Sequence, residues 1–383
     1  MKITGFSLYH VPMRFLYLKI ETDEGISGWG EPLVEGRADT LAAAVKEWEG
    51  YFVGQDPLLV EKHWQNMYRG AFYRGGPVMM SVMAGIDQAL WDIRGKYFGM
   101  PVYRLLNGGV KKRVKVYRSI HGESVEELVR DARRAKEQGY KLIKMSPNSA
   151  THYLDDYRLV EGIVEKVEVV RKALGPEIGV AIDLHGRIHR PMAKVFAQAL
   201  DPLRLSFIEE PVLPNNYEAF RTIAQYTATP IATGERMYSR WDFKTLLEEH
   251  SVDILQPDLS HAGGISECMR IAAMGEAYDL ALAPHCPLSV IAFASCIHVD
   301  GAANNAVFQE QSIDIHNCTR QNEKLWWIKN PEVFAFEDGF VRLPEGPGLG
   351  IEVDEAAVEE AGKHPHNWKN PMWETYDGST IEW

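Results

Sequence analysis

The chain has 383 residues, more than one ordinary core needs and enough for two domains, one of which could be a barrel of roughly 200 to 250 residues. Hydrophobic residues at 45% and charged residues at 25% give the balance of a folded globular protein, which excludes a disordered or fibrous chain. A formal charge of −12 disfavours nucleic-acid and anionic-membrane partners, because both need a clustered basic face.

Met1-Lys2-Ile3-Thr4 opens directly into alternating sequence without an apolar leader, and no stretch of about 18 apolar residues occurs, so the expectation is a cytoplasmic protein with no membrane partner. Cys268, Cys286, Cys296 and Cys318 lack CxxC spacing, which predicts buried free thiols rather than disulfides or a zinc site.

From Phe15 to Ile20 the sequence is apolar and β-prone. The turn cluster Thr22-Asp23-Glu24-Gly25 and the strand-like piece Ile26 to Trp29 complete an antiparallel hairpin. Val82, Ile86, Leu90, Ile93 and Tyr97 then recur at steps of four, four, three and four, lining one face of a helix that Gly99 and Pro101 end. Residues 1–110 therefore read as an α+β domain.

Beyond Asn107-Gly108-Gly109 a unit of short strand, polar turn and longer helix repeats. Strand Val114 to Ile120 precedes Ser124, which caps a helix with Glu127 completing the capping box; Val125, Leu128, Val129, Ala132 and Ala135 form its apolar stripe and Gly139 stops it. Strands follow at Leu142 to Lys144, Ile178 to Asp183, Leu205 to Glu209, Ile231 to Glu235, Val252 to Asp258, Leu280 to His285 and Ala306 to Glu310, making eight in all. Residues 111–329 thus predict a closed parallel barrel; an open doubly wound sheet is weakened by the lack of a GxGxxG or P-loop. The segment 330–383, with strand-like Gly339 to Leu343, a turn at Pro344 to Gly350 and packing aromatics Trp368, Trp373 and Trp383, is expected to fold back on the first domain.

Six of these strands end in an acid or a histidine. Asp183, Glu209, Glu235, Asp258, His285 and Glu310 are separated, by subtraction, by 26, 26, 23, 27 and 25 residues, the length of one strand plus one helix. A parallel barrel brings all such ends to one mouth, where so many carboxylates need a cation. Three oxygen ligands on successive strands, Asp183, Glu209 and Glu235, suit Mg2+, one per subunit; Glu210 should point away on the alternating strand. Asp258 can fix the tautomer of His285 and raise its basicity, and His185, two residues after Asp183, projects toward the same mouth, so one histidine can remove a proton while the other delivers one.

Gly28-Trp29-Gly30-Glu31-Pro32, Phe72-Tyr73-Arg74-Gly75-Gly76-Pro77, Asp87-Gln88-Ala89-Leu90-Trp91-Asp92, Ile208-Glu209-Glu210-Pro211, Gly234-Glu235-Arg236-Met237, Gln256-Pro257-Asp258-Leu259-Ser260-His261-Ala262-Gly263-Gly264 and Ala283-Pro284-His285-Cys286-Pro287 resemble the enolase superfamily in its mandelate-racemase branch. The resemblance implies a modified (β/α)7β TIM-type barrel beneath an α+β capping domain, with Asp183, Glu209 and Glu235 on magnesium. It further implies that His285, paired with Asp258, removes the α-proton of a sugar acid, that Glu310 stabilises the enediolate, and that His185 protonates the departing 3-hydroxyl. D-Galactonate is the first substrate to expect, giving 2-dehydro-3-deoxy-D-galactonate, and a homo-oligomer is the expected assembly.

Where many relatives carry Lys-x-Lys, this chain has Lys144-Met145-Ser146, which argues against a two-base racemase. Ser146 and the segment Ser119-Ile120-His121-Gly122 depart from the expected pattern and should face the pocket. His121 and His189 are candidates for touching substrate or for packing, and the loops Pro12 to Tyr17 and Phe72 to Gly76 for closing the pocket, with Arg74 as a candidate contact. The alternatives are a dehydratase or epimerase for another hexonate or pentonate, and a non-catalytic sugar-acid binding protein.

Overall fold

The computed structural model describes residues 1–147, 151–375 and 377–382. Strands β1 (Ile3–Val11), β2 (Phe15–Thr22) and β3 (Ser27–Gly30) form an antiparallel sheet in that order, the last turn made by Gly25 at φ 76°. Four helices follow: α1 (Ala38–Phe52), α2 (Val60–Arg69), α3 (Pro77–Phe98) and α4 (Val102–Leu106). The spacing along α3 predicts one apolar face, but α3 is buried on all sides from Met80 to Ile93, because it lies between the small sheet and the barrel. Gly99, left-handed at φ 65°, ends it.

The barrel runs β4 (Arg113–Ile120), α5 (Val125–Glu137), β5 (Leu142–Met145), α6 (Tyr157–Leu174), β6 (Gly179–Asp183), α7 (Arg190–Leu200), β7 (Ile208–Glu209), α8 (Tyr217–Ile223), β8 (Ile231–Thr233), α9 (Arg240–Glu248), β9 (Ile254–Leu255), α10 (Gly264–Ala277), β10 (Ala281–Leu282), α11 (Val290–Ala302) and β11 (Gln309–Gln311). All neighbours from β4 to β10 pair in parallel; β11 returns to β4, and a parallel bridge between Leu282 and Ala306 closes the ring. Tyr117, Leu142, Ala181, Phe207, Ala232, Ile254 and Ala283 fill the interior. The architecture is a modified (β/α)7β barrel beneath an α+β cap. Ser124 and Glu127 form the capping box at the start of α5. Several strands are shorter than their apolar runs: Leu205 to Phe207 leads into β7 from Arg204, whose φ of 51° turns the chain, and only Ile208–Glu209 joins the ladder.

Two buried carboxylates of the cap fasten it to the barrel. Glu31 accepts hydrogen bonds from Ser289 Oγ and Ala292 N at the start of α11, and Asp87 accepts from Ser266 N and Oγ at the start of α10. Unpaired N–H groups at a helix N-terminus favour such acceptors. Burial raises both carboxyls, each to about 7, against the pull of those donors.

The C-terminal segment departs in part from its expected place on the first domain. Its hairpin β12 (Phe336–Glu337) and β13 (Phe340–Arg342) instead extends the barrel sheet, with β13 antiparallel to β4, because Val341 is apolar and buries against Val114. The segment reaches the cap first at Gly348 and Leu349, which hydrogen-bond to Met100, Val102 and Asp92, and again at α12 (Glu355–Gly362), which packs on β1. A short pair, β14 (Trp373–Glu374) and β15 (Thr380–Ile381), follows, and Trp383 lies outside the described residues. Among the described residues the four cysteines are free, and no helix is long and apolar enough to cross a membrane.

Two outcomes follow from this packing. A Cβ on Gly30 would lie 1.9 Å from the Gly85 carbonyl oxygen of α3, so Gly30→Ala should cost roughly 3 kcal/mol, read as a lower urea midpoint. Buried His298 accepts from Tyr103 N through Nδ1, and burial lowers its pKa to about 4, so the folded state requires the neutral ring. The folded value lies below the unfolded one, hence this contribution is complete above about pH 6.5 and is lost as pH falls toward 4, by at most about 3 kcal/mol. His298→Asn, which keeps an acceptor but does not titrate, should flatten the pH dependence of unfolding across that window.

Candidate active site

The barrel strands deliver their terminal side chains to one mouth. Asp183 and Glu209 are the last residues of β6 and β7 and stand in register. Glu235 follows β8 after Gly234, whose φ of 150° and lack of a Cβ let the chain pass against the backbone of Gln256. Carboxylate oxygens of Asp183, Glu209 and Glu235 all lie within 4.8 Å of one another. Oxygen-only donors at this spacing suit a hard divalent cation. The Oε2 atom of Glu235 is buried without a hydrogen bond, an acceptor left open on that trio.

Lys144, at the end of β5, supplies the charge that holds two of these acids together with Glu310. Its Nζ lies 2.9 Å from Glu209 Oε1, 2.8 Å from Glu310 Oε1 and 3.3 Å from Asp183 Oδ2. Burial opposes charge on Lys144, but Glu209 and Glu310 hold its pKa well above the ordinary lysine value. Asp183 and Glu310 resist burial and stay below the ordinary carboxylate range because of Lys144, whereas burial and then Asp183 push Glu209 up to about 8. Sequence reasoning missed this role: Lys144 reads there only as the first lysine of an incomplete pair, and its apolar neighbours on β5 give no sign that it faces inward.

Asp258 and His285 lie just past β9 and β10, where an isolated parallel bridge joins them. His285 Nδ1 donates to Asp258 Oδ2 at 2.8 Å; a carboxylate can only accept, so Nε2 carries the lone pair in the neutral ring. That Nε2 lies 3.2 Å from Glu235 Oε2 and 3.7 Å from Glu310 Oε2. Burial would lower His285, yet Glu235, Glu310 and Asp258 together raise it well above the usual imidazole value.

His185 is placed by a local turn. Asp183 Oδ1 accepts from His185 N at 2.9 Å, and His185 and Gly186 take left-handed φ of 50° and 62°, which swings the imidazole back over the trio. Its Nε2 sits 3.2 Å from Asp183 Oδ2 and its Nδ1 3.3 Å from Ser146 Oγ. Burial lowers its pKa against the pull of Asp183 and Glu235. The two imidazoles thus flank the acidic trio, and both line one cavity of about 460 Å³.

Glu210 departs from simple alternation. Its φ of 39° keeps it buried beside the site, where its Oε2 lies 3.0 Å from Arg236 Nε, and Arg236 also meets Glu235 Oε1 at 3.4 Å. Ser146 is at the site as expected. His121 is not: its N–H donates to Asp131 and it lines a separate groove with Arg118, because β4 ends by turning outward into the capping box of α5. His189 stacks on Tyr153 at 3.9 Å, and Arg74 lies over Tyr68 beside the exposed Phe72 and Tyr73, so neither lines the cavity. From that cap loop only the adjoining Pro77 does.

The roof includes Arg14 of the Pro12 to Tyr17 loop expected to close the pocket, and further residues that spacing alone did not reveal. Arg14, from the β1–β2 turn, donates to Pro287 O at 3.2 Å and lies 3.8 Å from Glu35. His261 Nε2 is 3.5 Å from Glu35 Oε2 and its Nδ1 is 3.0 Å from Ser81 Oγ. Burial notwithstanding, Asp258 and Glu35 raise His261 to about 9, and His261 with Arg14 holds Glu35 down at about 2. The motif containing His261 was legible, but its partner Glu35 is 226 residues away by subtraction and gave no signal.

Residues 127–357 match the family described as enolase C-terminal domain-like, and residues 10–107 match the mandelate racemase / muconate lactonizing enzyme N-terminal domain. The chain is 51% identical to a D-galactonate dehydratase of Variovorax paradoxus (strain S110) and 49% identical to one of Ralstonia pickettii (strain 12J), each over 383 residues and the whole of both chains. Among solved structures it resembles an enolase of Agrobacterium radiobacter bound to sodium and L-malate, at TM-score 0.91 and 28% identity over 100% of both chains. It also resembles a member of the enolase superfamily from Salmonella typhimurium, at TM-score 0.86 and 28% identity over 94% of this chain and 98% of that one. With both of its family regions matched and full-length relatives at half identity, the chain belongs to the enolase superfamily.

Proposed function

We propose that this chain is a magnesium-dependent sugar-acid dehydratase that converts D-galactonate to 2-dehydro-3-deoxy-D-galactonate. The observation that carries the reading is the pair of imidazoles flanking one acidic trio, His285 backed by Asp258 and His185 backed by Asp183. The name carried by the full-length relatives supports the substrate.

The proton beside a carboxylate is barely acidic, so its removal requires stabilisation of the enediolate that forms. Asp183, Glu209 and Glu235 would hold magnesium, which when bound supplies positive charge beside the substrate carboxylate. His285 Nε2 takes the α-proton, with Asp258 fixing the tautomer through Nδ1. Glu310 supports the enediolate jointly with Lys144, whose ammonium it holds at 2.8 Å. As the enediolate electrons return, the C3–O bond breaks and His185 gives its proton to the leaving hydroxyl, releasing water. The resulting enol becomes the 2-keto-3-deoxy acid.

The purified protein should form a 2-keto acid from D-galactonate, detected with semicarbazide, and lose that activity on adding EDTA. Product from another aldonate alone would retain the chemistry and replace the substrate; exchange of the α-proton without keto acid would mean an epimerase. His285→Asn should abolish exchange of the substrate α-proton with deuterated solvent while magnesium still binds by calorimetry. Exchange persisting in that variant would remove His285 as the base.

A further inference from the structure

The cavity has a barrel floor and a roof of a different origin. His185, Glu235 and His285 form the floor, while Arg14, Glu35 and Asn370 line the other side. Arg14 and Glu35 come from the cap; Asn370 comes from the stretch between α12 and β14, near the end of the chain.

That stretch is held at several points as it crosses the mouth. His366 Nε2 meets the Phe15 carbonyl oxygen at 3.1 Å, and Arg14 lies over the Trp368 ring at 5.3 Å. Arg187 of the loop after β6, which also lines the cavity, lies over Trp373 at 4.6 Å. Between these fixed points Asn370 packs its Oδ1 over Gly36, where a Cβ would come within 2.1 Å of it. The Asn370 amide, at the solvent-exposed edge of the cavity, makes no hydrogen bond among the described residues. An amide offers both a donor and an acceptor, the complement of a hydroxyl.

The floor claims the carboxylate, C2 and C3 of an aldonate, so the remaining hydroxyls extend toward the roof. Resting on the dehydratase reading, we propose that the C-terminal strap 366–373 is part of the substrate site: Asn370 is a specificity-determining residue for the terminal hydroxyl-bearing carbons of a hexonate, and Trp368 is a positioning residue that sets Arg14. Contacts so far from the reacting carbons hold substrate and transition state alike, so they act on KM and leave kcat nearly unchanged.

The test compares wild type, Asn370→Ala, Trp368→Ala and Gly36→Ala with D-galactonate and with L-arabinonate, which lacks its C6. Val53→Ala, on the cap at the end of α1 and exposed to solvent at 47%, is the control. Asn370→Ala should raise KM for galactonate roughly 3- to 10-fold, the range of one neutral hydrogen bond, with kcat within about 2-fold and the preference over arabinonate reduced to match. Gly36→Ala, which displaces Asn370 without substituting any strap residue, and Trp368→Ala should change KM in the same sense, while Val53→Ala should match wild type. Wild-type turnover with unchanged KM and unchanged preference in Asn370→Ala would overturn the inference and leave the dehydratase reading intact. A fall in kcat and thermal stability without a KM change would assign the strap a purely structural role and also overturn it. A wild-type protein that dehydrates no aldonate would remove the dehydratase reading, and this inference with it.

Discussion

Everything at the barrel mouth depends on how its negative charge is held. Asp183, Glu209 and Glu310 are buried around one ammonium, Lys144 Nζ, at 2.8 to 3.3 Å. Without a cation the desolvation of three carboxylates would outweigh what the surrounding apolar packing contributes. Lys144 cannot satisfy them all, and the result is an uneven distribution in which Asp183 and Glu310 stay charged while Glu209 is pushed up. That imbalance, with Glu235 Oε2 left without a hydrogen bond, leaves the mouth with negative charge that Lys144 does not neutralise.

The same economy governs the joint between the cap and the barrel. Glu31 and Asp87 are buried carboxylates that sit on the otherwise unpaired N–H groups at the starts of α11 and α10 rather than beside cations. They use the barrel helices as donors, so the rear of the cap is fixed while its β1–β2 turn, carrying Arg14, reaches over the mouth. A rigid base with a shaped overhang is what a pocket between two structural units requires.

How much of this was legible follows from the physics of each signal. The eight strands, the capping box at Ser124 and the carboxylates at strand ends were readable, because they depend on short-range periodicity and on one rule, that parallel barrel strands all end at the same face. The inward turn of Lys144, the left-handed Glu210 and the outward turn of His121 were not. Each depends on backbone torsion at a single residue or on which neighbour encloses it. The hairpin β12–β13 was assigned to the cap side because a strand pattern does not name its partner, and β4 had an open edge below its barrel pairings. The roof was least legible: Glu35 with His261, and Asn370 with Gly36, are pairs joined only by the completed fold.

The strap has a consequence for how the molecule is made. His366 contacts Phe15 across 351 positions, so the wall of the pocket joins two segments that leave the ribosome far apart in time. The barrel can close when β11 reaches β4, well before that contact exists, and domains generally form in the order of synthesis. A nascent chain would therefore carry the assembled barrel floor of Glu235, His185 and His285 under an unfinished roof, and the enclosed cavity would form only once the strap has docked.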